Sequence, residues 1–225
     1  MDSRIARSQA TRKALQHAAE KLIAERGLES VSIRDIVSTA GQKNESALQY
    51  HFKNLKGLIS AIQAERSSET QSKRAEMLNA MLSDNSQPNL RQVCTLMVQP
   101  PFDLARSSVG FRRYIKAFGH ELVLTETSAL ARATRQGGGG SSGHHLAMLL
   151  RSALSHLDED AYRRRMESAV RLCSASMYHQ ARQKNAFRGK QSDLFLHSLI
   201  DALAGLLSAP ESGQTKAIAR ILADQ

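Results

Sequence analysis

The sequence predicts an all-α protein with an N-terminal three-helix helix-turn-helix domain and a larger C-terminal helical region. Apolar residues recur at helical spacing through most of the chain, and no alternating strand pattern is sustained. Aromatic residues make up only 4 % of the sequence, which also disfavours extensive β-structure. At 225 residues, 41 % of them apolar, the chain is long enough to bury a real core and is not a disordered sequence.

The first two predicted helices have clear start and stop signals. Apolar residues at spacing i, i+3, i+4, i+7 and i+8 predict a helix over residues 8–26, which Gly27 ends. These apolar positions are Leu15, Ala18, Ala19, Leu22 and Ile23. Ser32, three residues before Asp35, gives a weak capping-box pattern for a second, short helix that Gly41 ends.

A third and a fourth helix follow the turn at residues 40–43. The third begins at Lys43 or Asn44 and directs Ala47, Leu48 and Phe52 inward. Asn54 is the expected N-cap of a long fourth helix, which ends at the polar segment 83–88.

The rest of the chain is also predicted to be helical. The patterns cover residues 89–105, 109–124, 144–157, 159–184, 191–208 and 213–223. Pro100 and Pro101 are expected to interrupt the first of them. Residues 136–143 read QGGGGSSG, a composition that predicts a flexible loop, either natural or engineered.

Residues 31–58 have the pattern of a helix-turn-helix, which places one helix in the DNA major groove. The net charge of +10 and the isoelectric point near 10.0 fit a polyanionic partner. Residues 1–60 hold ten Lys and Arg against six Asp and Glu. Four basic residues near the N-terminus form either an arm that contacts phosphates or a frayed, solvated end. They are Arg4, Arg7, Arg12 and Lys13.

Base reading requires hydrogen-bonding side chains near the start of the recognition helix. The residues that supply them are Gln42, Lys43, Asn44 and Gln49. Ser46 is small enough to permit close approach to the bases, and Asn44 has helix capping as an alternative role.

Contacts to the DNA backbone are expected from polar and basic residues around the third helix. These residues are Ser32, Arg34, Tyr50, His51, Lys53 and Lys56. For His51 the alternative is packing against the third helix.

Apolar and aromatic residues on the middle helices could line a ligand pocket, or could be ordinary core residues. They are Met97, Phe102, Phe111, Tyr114, Phe118, Met148, Cys173 and Met177. Polar groups that could accompany them are His120, Glu121, His144, His145 and Tyr178. Such a pocket would suit an apolar ligand with one or two polar ends.

Two later apolar stripes are candidates for dimerisation, with a fully intramolecular core as the alternative. One consists of Tyr162, Met166, Ala169, Val170, Cys173 and Met177. The other consists of Leu196, Leu199, Ile200, Leu203, Leu206 and Leu207.

Several protein classes find little support. Cys94 and Cys173 lie far apart without a CxxC motif, which disfavours a disulfide framework and a structural zinc site. No metal-ligand spacing, phosphate loop or nucleophile motif is present, so we expect no cofactor and no enzymatic activity. A redox-sensing Cys173 stays an alternative. No membrane span or signal peptide is evident, and we expect a cytoplasmic protein.

Four motifs in the N-terminal segment occur together: ERG at residues 25–27, SIRDIVSTAG at 32–41, YHF at 50–52 and LKGLI at 55–59. In combination they resemble the TetR family of bacterial transcriptional regulators. Two features depart from the family pattern. The stretch from Gln42 to Glu45 is one residue longer, and Leu55 stands where a lysine is common, with Lys56 following it.

The resemblance implies a homodimer with a DNA-binding domain over residues 1–54. Residues 55–225 would then form the effector-binding and dimerisation domain. Most members of the family repress transcription from a near-palindromic double-stranded operator and leave it when a small molecule binds, while a minority activate. A ligand-independent or architectural DNA-binding dimer and a partner-binding module stay open as alternatives.

Overall fold

The computed structural model describes residues 2–83, 87–134 and 140–223, and within these ranges it contains helices and no β-strand. The N-terminal helices are α1 Asp2–Arg26, α2 Ile33–Thr39, α3 Ser46–Phe52 and α4 Leu55–Leu82, with a short 3-10 turn at Leu28–Ser30 after α1. The C-terminal helices are α5 Leu90–Ser107, α6 Val109–Phe118, α7 Glu121–Leu124, α8 Ala129–Ala133, α9 Gly140–Ala153, α10 Glu159–Ala181, α11 Gly189–Ser208 and α12 Gly213–Ala223. The predicted fold class is therefore confirmed.

The N-terminal helices enclose a core of their own. Its buried residues are Leu15, Ala18, Ala19, Leu22, Ile23, Val31, Ile36, Val37, Leu48, Phe52, Leu58, Ile62, Ala117 and Phe118. Leu58 and Ile62 belong to α4, while Ala117 and Phe118 belong to α6 of the C-terminal region. The α4 and α6 helices thus join the two parts of the chain, and the domain boundary at residue 54 stays a prediction.

Local hydrogen bonds explain the bounds of α2. Ser32 accepts from the Asp35 N–H at 3.1 Å while its own N–H donates to the Asp35 carboxylate at 3.1 Å, which completes the predicted capping box. Gly41 follows α2 with φ of 68°, a left-handed conformation that favours glycine. The Gly41 and Gln42 N–H groups return to the Ser38 and Val37 carbonyls, a Schellman ending of α2.

A close approach fixes the corner between α3 and α4. The Asn54 side chain caps α4 by accepting from the Gly57 N–H at 2.9 Å, as predicted. A Cβ atom at Gly57 would lie 2.0 Å from the Phe52 carbonyl oxygen, so only glycine fits there. This corner holds the end of α3 against the beginning of α4.

The prediction that Pro100 and Pro101 interrupt a helix is wrong, because α5 continues through both residues. Proline has no N–H, so Pro100 cannot donate to the Leu96 carbonyl one turn earlier. The Arg74 Nε on α4 donates to that carbonyl instead, at 3.2 Å. A neighbouring helix therefore replaces the missing hydrogen bond.

The prediction of a flexible loop over residues 136–143 is wrong for its second half. Gly140–Gly143 form the first turn of α9, while residues 136–139 lie outside the described ranges. The Ser142 hydroxyl is buried and donates to the Gln71 carbonyl of α4 at 3.1 Å. Small residues here permit a close packing of α9 on α4.

Most of the two apolar stripes lie inside the C-terminal core, which agrees with the intramolecular alternative. Met166, Ala169 and Met177 of α10 are buried there, as is most of the α11 stripe. These buried α11 residues are Leu196, Leu199, Ile200, Leu203 and Leu207. The predicted helix at 109–124 is divided into α6 and α7 around Gly119, which caps α6.

Within the described ranges, no single helix is both long enough and apolar enough to cross a membrane. Together, α11 and α12 have the length and the apolar composition of such a segment, but they are bent by 60° at their junction.

Candidate nucleic-acid interface and ligand cavity

One face of α3 is polar and open to solvent. Leu48 and Phe52 pack into the N-terminal core, whereas Ser46, Gln49 and Tyr50 are exposed. The Tyr50 side chain is 79 % exposed, which is unusual for a large aromatic residue. These exposed positions are three and four residues apart and so share one helix face. That face has the chemistry and accessibility of a recognition helix.

The turn before α3 is longer than predicted. The helix begins at Ser46, so the predicted start at Lys43 or Asn44 is wrong. The Asn44 side chain accepts from the Ser46 N–H at 2.9 Å, which is the local capping role and holds Asn44 in the turn. The half-buried Gln42 side-chain amide donates a hydrogen bond to the Ala40 carbonyl at 3.4 Å. The Lys43 side chain is exposed.

His51 packs beside aromatic rings at the end of α3. Its ring centroid lies 4.9 Å from that of Tyr50 and 6.1 Å from that of Phe52. Burial, and secondarily the charge of Arg12, lower the pKa of His51 below its ordinary value. This shift favours the neutral imidazole, and with the ring contacts it supports the packing alternative for this residue.

The remaining phosphate candidates surround α3. Arg34, Lys53 and Lys56 are exposed, and Lys56 lies in the first turn of α4. The Ser32 hydroxyl is also exposed, but it is held at 2.6 Å by the Asp35 carboxylate. That hydrogen bond, with the one from the Ser32 N–H, lowers the pKa of Asp35.

The basic N-terminal residues do not form an arm, because α1 begins at Asp2 and includes all four. Arg4, Arg7 and Lys13 are exposed on this helix. The Arg12 guanidinium lies 4.9 Å from the centroid of the Phe52 ring, so it bridges α1 to the end of α3. The position of Arg12 beside α3 was not predicted from the sequence.

A cavity of about 740 Å³ lies within the C-terminal region. Its apolar wall includes Met97, Val98, Pro101, Ile115, Phe118, Leu122, Leu130, Leu146, Leu150, Met166, Val170 and Met177. This volume and this largely apolar lining are typical of sites for small organic ligands.

Five of the eight residues predicted for a ligand pocket line the cavity: Met97, Tyr114, Phe118, Cys173 and Met177. The other three, Phe102, Phe111 and Met148, do not line it. Phe102 and Phe111 are fully buried outside it, where Phe102 packs on Phe187 and Phe111 on Tyr114. Met148 lies on the outer face of α9 and is 58 % exposed. Among the predicted polar groups, Glu121 and His144 line the cavity, whereas His120, His145 and Tyr178 do not.

Both cysteines are free thiols with raised pKa values. Burial raises the pKa of the Cys94 thiol to about 11. Burial, and secondarily the nearby Cys94, raise the pKa of the Cys173 thiol to about 12. A thiol becomes a good nucleophile only as the thiolate. These values therefore disfavour Cys173 as a redox sensor. No group of three potential metal ligands occurs within the described ranges.

The polar wall of the cavity comes mainly from α4, whose residues were not among those predicted for a ligand pocket. The α4 residues that line it are Gln63, Arg66, Ser67, Thr70 and Arg74. Their spacing of three and four residues places them on one helix face, a signal that was present in the sequence.

The cavity and the N-terminal core share side chains at the junction of α1, α4 and α6. Phe118 lines the cavity and is also buried in the N-terminal core, and Tyr114 contacts both cores. Arg66 binds Glu20 of α1 through Nε at 2.7 Å and Nη2 at 2.9 Å. It also binds Glu69. Burial alone lowers the pKa of Arg66, but Glu20 and Glu69 outweigh this effect and raise it.

Comparison with known proteins agrees with this arrangement. Residues 15–62 match the family model described as bacterial regulatory proteins, tetR family. No curated protein matches the chain.

Three solved structures are similar over most of the chain. A TetR family transcription regulator from Marinobacter aquaeolei VT8 is 14 % identical with a TM-score of 0.54, covering 88 % of this chain and 97 % of its own. A putative transcriptional regulator from Streptomyces coelicolor A3(2) is 18 % identical with a TM-score of 0.44, and the match covers 88 % of this chain and 99 % of that one. RolR in complex with resorcinol is 14 % identical with a TM-score of 0.48, and the match covers 92 % of this chain and 98 % of that one. The first of these shows the same fold over 88 % of this chain.

Proposed function

We propose that this chain, whose residues 15–62 belong to the tetR family of bacterial regulatory proteins, is a homodimeric transcriptional repressor. It binds a near-palindromic operator and leaves it when a small, largely apolar effector enters the cavity. The observation that carries the proposal is the junction at which Phe118, Tyr114 and Arg66 belong to the cavity wall and contact the N-terminal helices.

In this proposal the exposed face of α3 enters the major groove. Gln49 and Ser46 reach base edges from the helix, while Gln42, Lys43 and Asn44 approach from the preceding turn. Arg34 on α2 contacts the phosphates, together with three residues around the end of α3. Those three residues are Tyr50, Lys53 and Lys56.

The cavity favours an effector-regulated protein over a ligand-independent DNA-binding dimer. An apolar ligand would press on Phe118 and Tyr114, which contact the N-terminal core. A displacement of either ring requires α1 or α4 to move, because close-packed side chains have little free space. Such a movement alters the separation of the two α3 helices in a dimer, and the affinity for both half-sites falls.

The outer face of α11 is a suitable dimer surface. Leu194, Ser198, Ala202 and Gly205 are exposed and share one face by their helical spacing. Small residues allow another helix to approach closely, and Leu194 adds an apolar contact. A symmetric pair of such faces gives a closed twofold dimer. Operator half-sites should then lie about one helical turn or slightly more apart.

Binding of a fluorescent mixed-sequence duplex, titrated over a range of salt concentrations, tests the DNA-binding part of the proposal. We expect the logarithm of the affinity to fall linearly with the logarithm of salt concentration, with a slope of several units. A protein-partner module with a similar shape predicts no such dependence. An affinity that is undetectable at low salt, or independent of salt, contradicts DNA binding by this chain.

A further inference from the structure

One guanidinium in the cavity wall has an amino group without a hydrogen-bond partner. Arg74 lines the cavity from α4 and is only 6 % exposed. Its Nε donates to the Leu96 carbonyl, but its Nη1 is buried with no partner among the described residues. Buried polar groups in proteins are nearly always hydrogen-bonded, so this atom requires an explanation.

The structural role of Arg74 accounts for only part of the side chain. Pro100 leaves the Leu96 carbonyl without its helical donor, and the Arg74 Nε supplies a replacement at 3.2 Å. A single neutral donor such as an amide would fulfil that role. Neither the positive charge nor Nη1 is needed for it.

The other charged groups of the cavity wall have opposite charges beside them. Arg66 is paired with Glu20 and Glu69, and Glu121 is paired with Arg132 at 2.6 Å. No carboxylate contacts Arg74 among the described residues, and burial alone accounts for its lowered pKa. Arginine nevertheless keeps its proton in proteins, so the wall carries one uncompensated positive charge.

We propose that the effector carries one carboxylate on an apolar body, and that this carboxylate binds the Arg74 guanidinium, which lines the cavity. The inference rests on the proposed function of the cavity as the effector site. A guanidinium fits a carboxylate in geometry and charge, and the hydrogen bond is charge-assisted. The apolar body contacts the surrounding wall, which includes Met97, Val98 and Leu150. Binding removes the cost of the unpaired buried cation.

Calorimetric titration with decanoate and with its uncharged amide, decanamide, tests this inference on the full-length protein. Both probes are used below their solubility limits. We expect the wild-type protein to bind decanoate roughly 10-fold or more tightly than decanamide, as a hydrogen bond between charged groups implies. Arg74→Gln, which keeps a donor for the Leu96 carbonyl, should abolish this preference and leave decanamide binding unchanged.

Two further variants separate charge from folding. Arg74→Lys keeps the charge and should retain part of the preference for decanoate. Arg91→Gln removes an exposed arginine that pairs with Asp201 outside the cavity, and should behave as the wild type.

The outcomes distinguish this inference from the proposed function. Equal binding of both probes to the wild type, or a preference that survives in Arg74→Gln, overturns the role of Arg74 and leaves the cavity as an effector site. Failure of the wild type to bind either probe overturns the inference and the effector part of the proposed function together.

Discussion

Replacement of Glu20 by glutamine should strongly destabilise the protein, because Glu20 forms a buried ion pair between α1 and α4. The Glu20 side chain is 1 % exposed and the Arg66 side chain 9 %, and two hydrogen bonds of 2.7 and 2.9 Å join them. Glu20→Gln keeps the shape but turns one acceptor into a donor that faces the guanidinium. Removal of one partner from a buried pair costs about 3–5 kcal/mol.

The lower end of that range applies here, since Arg66 retains its pair with Glu69. We therefore expect a loss of about 3 kcal/mol in the free energy of unfolding. For a chain of this size the melting temperature should fall by roughly 6–12 °C. Urea unfolding and thermal scans measure both quantities, and one fixed protein concentration keeps any self-association equal between wild type and variant.

The matched control is Glu69→Gln, which removes the other carboxylate of the same arginine. The Glu69 side chain is 35 % exposed, so its pair with Arg66 should be worth about 1 kcal/mol or less. If Glu20→Gln costs no more than Glu69→Gln, the buried pair does not hold α1 against α4.

Three further predictions concern α3 and the beginning of α4. Lys56→Ala should weaken binding evenly across DNA sequences and lower the salt slope by about one unit in anisotropy titrations, and an unchanged slope rules out a phosphate contact there. Gln49→Ala should relax base preference at one operator position in competition assays, whereas equal weakening at all sites contradicts direct base reading by this residue. Gly57→Ala should destabilise the protein by at least about 2 kcal/mol in urea, because the added methyl group overlaps the Phe52 carbonyl. Gly213→Ala, with open space around its Cβ position, should change stability by less than about 1 kcal/mol, and equal effects of the two substitutions argue against the close approach at Gly57.

The N-terminal elements could be predicted from the sequence because their signals are local. The capping box at Ser32, the glycine after α2 and the Asn54 cap each involve residues within a few positions of one another. The start of α3 was misplaced by two or three residues, because Asn44 caps from within the turn. Helix ends of this kind depend on which of two local hydrogen bonds forms.

The errors in the C-terminal region have a non-local cause. The continuation of α5 through Pro100 depends on a donor from Arg74, 26 positions earlier in the chain. Glycine and serine at residues 140–143 suit a flexible linker, but they also suit the close packing of α9 on α4. A local composition does not distinguish these two outcomes.

The cavity was only partly predictable because core and pocket residues have the same chemistry. Phe102 and Phe118 are both buried aromatic residues, yet only Phe118 lines the cavity. Which of them faces empty space is decided by the packing of separate helices. The role of Arg74 required the structure, since its missing partner is defined by atoms that are distant in sequence.

Selection of bound fragments from a random duplex library, at near-physiological salt, measures whether the chain binds DNA sequence-specifically as a dimer. We expect recovery of a near-palindrome whose half-sites are separated by about one helical turn, because a symmetric dimer would place one α3 helix in each major groove. The recovered duplex would also serve to measure release by carboxylate ligands. Recovery of diffuse, salt-sensitive sequences without a palindrome would contradict sequence-specific binding by a dimer and would favour an architectural DNA-binding protein.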